Sequence, residues 1–217
     1  MNTLNYIGSK QSFLPIMQNV IKENISDIEK LNFADLFSGT GVVGYNAQFY
    51  FKNVISNDLE HYSFVINTAL LKCNYSTKIQ TIIDECNSLP GVEGLIYNNF
   101  SPNVNCERMF FSNDNAKRCD AMRLYINKLL RENKIGGKEY YFLLGSILSS
   151  MDRVSNISCT YGTYLKQFKK NAARSMYLSP IHTRTNIKEN VNETFNRFAE
   201  NLVIERRSEE HTSELQS

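Results

Sequence analysis

Tryptophan is absent from the 217 residues, proline occurs four times and never beside another proline, and histidine occurs three times. No apolar run approaches the roughly 20 residues that a bilayer-crossing helix needs, so no membrane association is expected. Residues Met1 to Lys10 carry neither the apolar core of a secretory signal nor the Arg-rich pattern of a transit peptide, and a cytoplasmic location is expected. Five cysteines, Cys73, Cys86, Cys106, Cys119 and Cys159, are scattered, odd in number and without CxxC spacing. A disulfide framework and a zinc site are therefore not expected, and the thiols read as reduced. The formal net charge of +2 has no surplus of either sign. A nucleic-acid partner would have to be argued from local clusters of cations.

What is present is enough for a core. Hydrophobic residues make up 42% of the chain, with tyrosine and phenylalanine supplying the aromatics. One domain, or one domain carrying an insertion, is the natural reading at this length.

The first half has an alternating texture. Phe33 to Phe37 is a short apolar run ending in Ser38-Gly-Thr-Gly41, and Val42 to Phe51 follows with apolar residues at helical spacing. Val54 to Asp58 reads as a second strand ending on an acid, and Glu60 to Lys72 as a second amphipathic helix. The β-α-β-α order predicts a parallel sheet. From about Pro90 the texture becomes irregular, rich in glycine and asparagine. A helix is predicted over Asn113 to Asn133, capped by Ser112 or Asn113, and another over Glu139 to Met151. A loop from Arg153 to Gly162 leads to a predicted basic helix from about Thr163 to Met176, closed by Pro180. Asn190 to Glu200 reads as a short helix and Leu202 to Ile204 as a third strand.

The strongest single inference rests on Asp35-x-Phe-x-Gly39-x-Gly41. Glycines at a strand-to-helix turn let backbone approach a nucleotide-like ligand. Gly44 completes a GxGxxG by spelling. The preceding Asp-x-Phe-Ser favours S-adenosylmethionine instead, which has no pyrophosphate and offers an amino-acid end for the acid to hold. Asn57-Asp58 then ends the second strand about 20 residues on, where a Rossmann-type site places a carboxylate on ribose hydroxyls. Taken singly, the glycines suit a plain tight turn and Asp58 suits a helix cap. Their order favours the functional reading.

Asn5-Tyr-Ile-Gly-Ser-Lys10, Asp35-Leu-Phe-Ser-Gly-Thr-Gly41 and Asn57-Asp58, taken as an ordered set, resemble the opening motifs of the adenine-specific DNA methyltransferases of the Dam-like, alpha motif order. The resemblance runs up to about Glu205. It implies an α/β fold, with a Rossmann-like S-adenosylmethionine-dependent methyltransferase sheet, incomplete in this chain, and a mainly helical inserted target-recognition region. On it, Tyr6, Gly8, Lys10, Asp35, Ser38, Gly39, Gly41 and Asp58 are expected at the cofactor. Without the downstream motifs, Lys10 would read as a surface lysine and Tyr6 as a packed aromatic. The expected parts are 1–89 for the cofactor, 90–185 for the insertion, 186–206 for a return to the methyltransferase domain, and 207–217 as a tail.

The insertion's best candidate for contact with double-stranded DNA is Tyr161 to Arg174. Lys166, Lys169, Lys170 and Arg174 on neighbouring turns of the predicted helix would meet phosphates. Tyr161 and Tyr164 would pack on sugars or on a displaced base. A solvated lysine face with core tyrosines is the equal alternative from residues alone, and resemblance to the family's insertion tips it toward DNA. A cognate restriction endonuclease is a further partner the resemblance allows.

One expected element is missing. Transfer to an adenine amino group needs an extruded, stacked base whose amino group is bonded by acceptors, and the family supplies these with Asp-Pro-Pro-Tyr. Pro15, Pro90, Pro102 and Pro180 form no such run, and Asn99-Phe-Ser-Pro102 has the wrong order. No catalytic residue is therefore expected here. Arg207 to Ser217 resembles the in-frame translation of a sequencing-library adapter, while its composition alone suits a charged tail. On the sheet order usual for the class, Phe33 to Phe37 would lie on an edge. The expected function is site-specific adenine methylation of DNA, by family. An RNA or small-molecule methyltransferase sharing the cofactor half, and a non-catalytic DNA-binding protein, stay open.

Overall fold

In a computed structural model, residues 10–158, 161–189 and 191–205 are described. Tyr6, Gly8, Cys159 and the tail 207–217 lie outside them. The described residues divide into two compact units, one holding 10–72 with those of 188–205, the other those of 73–187. The sequence reading placed its boundary near residue 90.

The first unit contains a parallel sheet of three strands, β1 (Asn32–Asp35), β2 (Asn53–Asn57) and β3 (Glu193–Phe195), in the order β1-β2-β3. The parallel register runs from Asn32 opposite Asn53 to Asp35 opposite Ser56, and from Ile55 opposite Glu193 to Asn57 opposite Phe195. Central β2 is the buried strand, with Val54, Ser56 and Asn57 all nearly sealed from solvent. Among the described residues β1 is an edge strand. Helix α1 (Leu14–Asn24) precedes β1, α2 (Val42–Ala47) joins β1 to β2, and α3 (His61–Leu71) follows β2. Eight of the eleven residues of α3 are buried, because it packs against α2, β2 and β3. Such a helix is apolar on most sides and lacks a polar stripe.

Asn192 begins the return to the sheet. Its carboxamide accepts the Val54 N–H at 3.0 Å and donates to Gln48 at 3.2 Å and to the Leu71 carbonyl at 3.0 Å. A side chain thus extends the β3 ladder by one step.

The second unit is built on α4 (Thr77–Ser88), α5 (Leu95–Phe100), α6 (Asn113–Arg131) and α7 (Gly137–Arg153). Ser112 caps α6 by accepting the Asn115 N–H at 3.4 Å. Phe142, Ile126, Leu143, Met122 and Ile147 form the sealed core where α6 and α7 pack. Helix α4 was not anticipated, although Ile79, Ile82, Ile83 and Cys86 are buried at the i, i+3, i+4, i+7 spacing of a helix face and Ser76 caps it. Helix α5 falls within the stretch read as irregular. Its first turn is held by the buried Asp120 carboxylate, which accepts from Gly94, Ile96 and Tyr97 at 2.8–3.1 Å. A cap borrowed from a distant helix leaves no local signal. No helix of the described residues is long and apolar enough to cross a membrane.

Four expectations are corrected. The helix after the glycine turn stops at Ala47 rather than Phe51. Residues 193–195, expected within a helix, form β3, while residues 199–205, expected to end in a strand, are helical. A short apolar run such as Leu202 to Ile204 fits either state, and the Leu202 N–H bonding back to the Phe198 carbonyl at 3.4 Å shows which one holds. The basic helix from Thr163 to Met176 does not form. Its backbone groups are taken by carboxamides of Asn156 and Asn115, leaving a single turn in which Lys169 accepts from Ala172 and Ala173.

Candidate functional site

The carboxyl ends of the three strands converge on one loop cluster. β1 ends at Asp35, the chain turns through Ser38 to Gly41, and α2 starts with the Tyr45 N–H bonding to the Gly41 carbonyl at 2.9 Å. The turn needs its first two glycines. Gly39 and Gly41 have φ of +48° and +72°, a region costly for residues with a Cβ. A Cβ on Gly41 would also lie 2.8 Å from the Asn67 Oδ1 and 2.9 Å from a Leu70 methyl. At Gly44 the nearest atoms would be at 3.4 and 3.6 Å, ordinary contacts, so the third glycine of the spelling answers no steric demand.

Asp58 closes the turn from the next strand. One carboxylate oxygen accepts the Gly39 N–H at 2.7 Å and the other the Glu60 N–H at 2.9 Å. The second bond stops short of α3, whose N-cap is Glu60 and receives no side-chain cap, so Asp58 serves the glycine turn and is not the helix cap its position allowed. The next peptide group of the turn is held from α3, where Ser63 Oγ and Asn67 Nδ2 both donate to the Gly39 carbonyl, the latter at 3.2 Å. Ser56 Oγ in turn donates to Asn67 Oδ1 at 2.7 Å. Ser38 donates from N–H and hydroxyl to the Asn57 carbonyl, both at 3.0 Å. Asn57 ties all three strand ends, donating to the carbonyls of Leu36 at 3.2 Å and Arg197 at 3.0 Å and accepting the Arg197 N–H at 3.2 Å. Asn196 donates to the carbonyls of Asp58 and Leu59. Asp35, Ser38, Gly39, Gly41 and Asp58 are thus brought together. Lys10 is exposed, its carbonyl accepting the Phe13 N–H at the head of α1.

The two carboxyls give the turn a negative field. Burial pushes the Asp35 carboxyl up to about 6; the Phe37 N–H opposes this and the charge of Asp58 adds to it. Two carboxyls beside a glycine turn favour a cation, such as an ammonium, over a pyrophosphate. The Gly39 N–H that a dinucleotide phosphate would need is already given to Asp58.

Sequence reasoning missed Ser63, Asn67 and Asn196. For the first two a faint signal existed, small polar residues four apart inside an otherwise apolar helix. Asn196 follows a strand that was misassigned.

In the helical unit, Lys166, Lys170 and Arg174 are exposed and, among the described residues, make no ion pair. Lys169 differs, being half-buried and donating from Nζ to the Ile157 carbonyl at 2.7 Å. Tyr161 and Tyr164 rest on Phe110, with ring centroids 6.5 and 5.2 Å away. Tyr161 is 48% exposed as a whole, but its hydroxyl end is desolvated and held above the usual tyrosine range, with a hydrogen bond to Ser155 opposing. Both rings are therefore part of an aromatic cluster. A further signal was overlooked in sequence, since no acid occurs between Asp152 and Glu189.

The first unit is a parallel α/β arrangement whose strand ends carry a glycine turn bonded to an acid from beyond the neighbouring strand. The chain belongs to the D12 class N6 adenine-specific DNA methyltransferases, whose family model matches residues 6–209. It is 40% identical over 211 residues to the type II methyltransferase M.CviAII of Paramecium bursaria Chlorella virus 1, covering 94% of this chain and 61% of that protein. To the type II methyltransferase M.NlaIII of Neisseria lactamica it is 37% identical over 182 residues, 82% of this chain and 54% of that one. To M.FokI of Planomicrobium okeanokoites it is 34% identical over 215 residues, 92% of this chain and 32% of the relative. The chain thus spans about three fifths or less of these relatives' lengths. No solved structure matches it.

Proposed function

We propose that this chain carries the cofactor-binding and DNA-binding parts of a site-specific, S-adenosylmethionine-dependent DNA methyltransferase acting on the exocyclic amino group of adenine in duplex DNA. The observation that carries the reading is the glycine turn held between Asp35 and Asp58, whose charge suits the ammonium of the methionine moiety and repels a pyrophosphate. Bound there, the cofactor would supply an electrophilic methyl on a sulfonium. Asp35 would hold the ammonium, the Gly39 to Gly41 backbone would allow close approach, and Asp58, which still has acceptor capacity on both oxygens, would meet the ribose hydroxyls. Tyr6, Gly8 and Lys10, on the family resemblance, would complete the methionine end.

The sheet unit reads as a Rossmann-like methyltransferase domain and the helical unit as the inserted target-recognition region. Exposed Lys166, Lys170 and Arg174 would contact phosphates, with Lys169, Tyr161 and Tyr164 supporting them. Relatives named as type II methyltransferases support a place in a cytoplasmic restriction-modification system, with a cognate endonuclease as functional partner. No Asp-Pro-Pro-Tyr run occurs in these residues, so the transfer step is assigned to none of them.

Titration calorimetry with S-adenosylhomocysteine tests the reading. Micromolar-range binding by the parent chain, lost in Asp58→Ala, is expected. Equal binding by both would remove Asp58 from the site, and preference for a dinucleotide would defeat the cofactor assignment.

A further inference from the structure

The segment from Tyr161 to Leu178 has no regular secondary structure among its described residues, yet it is not loosely attached. Backbone polar groups in such a segment need partners other than a helix or ladder. Three asparagines supply them. Asn156, fully buried, accepts the Lys169 N–H at 3.0 Å on its carboxamide and donates to the Leu165 carbonyl at 2.8 Å, while its own carbonyl accepts the Leu165 N–H at 2.9 Å. Asn115, at the start of α6 and 1% exposed, donates to the carbonyls of Ala172 at 3.3 Å and Arg174 at 2.8 Å and accepts the Met176 N–H at 2.8 Å. Asn87, near the end of α4, donates to the Leu178 carbonyl at 2.9 Å and accepts the Leu178 N–H at 2.8 Å. A carboxamide has the donors and the acceptor of a peptide group, so each works as a detached rung of a ladder.

The pinned positions are in phase with the cations. Leu165 is pinned and Lys166 follows; Lys169 is pinned and Lys170 follows; Arg174 is itself pinned. Ala172 turns into the core between Lys170 and Arg174, and Met176 and Leu178 do so beyond Arg174. With no acid between Asp152 and Glu189, these cations have no counter-charge within the segment. A fixed row of unpaired cations is electrostatically costly alone and complementary to a regular polyanion.

Resting on the DNA-binding reading above, we propose that Asn156, Asn115 and Asn87 are positioning residues for DNA, templating the 161–178 segment so that Lys166, Lys170 and Arg174 meet successive phosphates without ordering a loose chain. Immobilising flexible residues on binding weakens affinity, and pre-ordering them removes that cost.

The test uses the intact chain and a fluorescein-labelled duplex, with binding followed by anisotropy over a salt series. The slope of log K on log salt reports the number of phosphate contacts, about 0.9 per contact on duplex DNA. Asn115→Ala is expected to weaken binding about tenfold and to flatten the slope by about one contact. Amide hydrogen exchange at 172–178 should accelerate while α6 and α7 stay protected. Weaker binding with an unchanged slope in a variant that is fully folded overturns the proposal. If Asn115→Ala does not fold, Asn87→Ala, at a half-buried position holding only Leu178, carries the same test. Parental affinity and slope in a folded variant with a loosened segment also overturn it. Absence of salt-dependent binding by the parent chain would instead defeat the DNA-binding reading itself.

Discussion

The carboxylate of Asp58 accepts the backbone N–H of Gly39 at 2.7 Å, joining the end of the second strand to the turn after the first. A residue readable as a helix cap and as a ligand contact therefore has a third task, fixing the peptide over which a cofactor would lie. Asp58→Asn keeps an acceptor for Gly39 and loses the charge, whereas Asp58→Ala loses both. Cofactor affinity should fall about tenfold in the first and further in the second, the charge-assisted bond being the stronger one. Calorimetry with S-adenosylhomocysteine gives the ranking, and equal affinities would show that charge is irrelevant there.

Gly41 and Gly44 make a matched pair. Gly41→Ala forces a Cβ into the left-handed region and to within 2.8 Å of Asn67, so a loss of about 2–4 kcal/mol is expected in urea unfolding. Gly44→Ala meets ordinary contacts on a helix and should stay within about 1 kcal/mol of the parent, since alanine also favours the helix.

Asp35 sets a pH dependence. Its carboxyl, pushed up to about 6 from a usual 3.8, binds more protons in the folded than in the unfolded chain between those values. Its contribution therefore makes the unliganded protein less stable as pH rises through that window. Binding of an ammonium has the opposite preference, because it needs the carboxylate. Cofactor affinity should be flat above about pH 7 and fall on acidification through about 6, and Asp35→Asn should be weak and flat throughout. Calorimetry across pH 5 to 8 checks both.

Removing exposed cations should act through the salt slope. Lys166→Ala, Lys170→Ala and Arg174→Ala should each flatten log K against log salt by about one contact, with little effect on thermal unfolding. Lys169→Ala should behave differently, lowering stability first, because its ammonium holds the Ile157 carbonyl at 2.7 Å. Anisotropy titrations with parallel thermal melts separate the two classes.

The sequence and the fold agree where local pattern carries the information. The β-α-β-α order, the glycine turn, the acid ending β2 and the long helices α6 and α7 were legible because their signals are contained within a few turns of chain. Three of the failures share a cause, unlike α4, which carried its own local signal. β3 is three residues long and exists because it pairs with β2, from which nearly 140 residues separate it, with Asn192 extending its ladder. Helix α5 depends on Asp120 for its cap, and the expected basic helix is undone by Asn115 and Asn156. In each case the backbone's partner lies outside the element itself: the β2 backbone for β3, the Asp120 carboxylate for α5, and the Asn156 and Asn115 carboxamides for the basic stretch.

The sequence by itself determined the class, since the order of Asp35, the glycine turn and Asp58 requires only that a strand, a turn and a second strand fold in succession. It also determined that the basic stretch lacks acids. Tertiary structure alone decided which carboxylate clamps Gly39, which cations stand free, and the irregular shape that presents them, because those outcomes depend on long-range hydrogen bonds to buried amides that outcompete the helix the same residues would otherwise form.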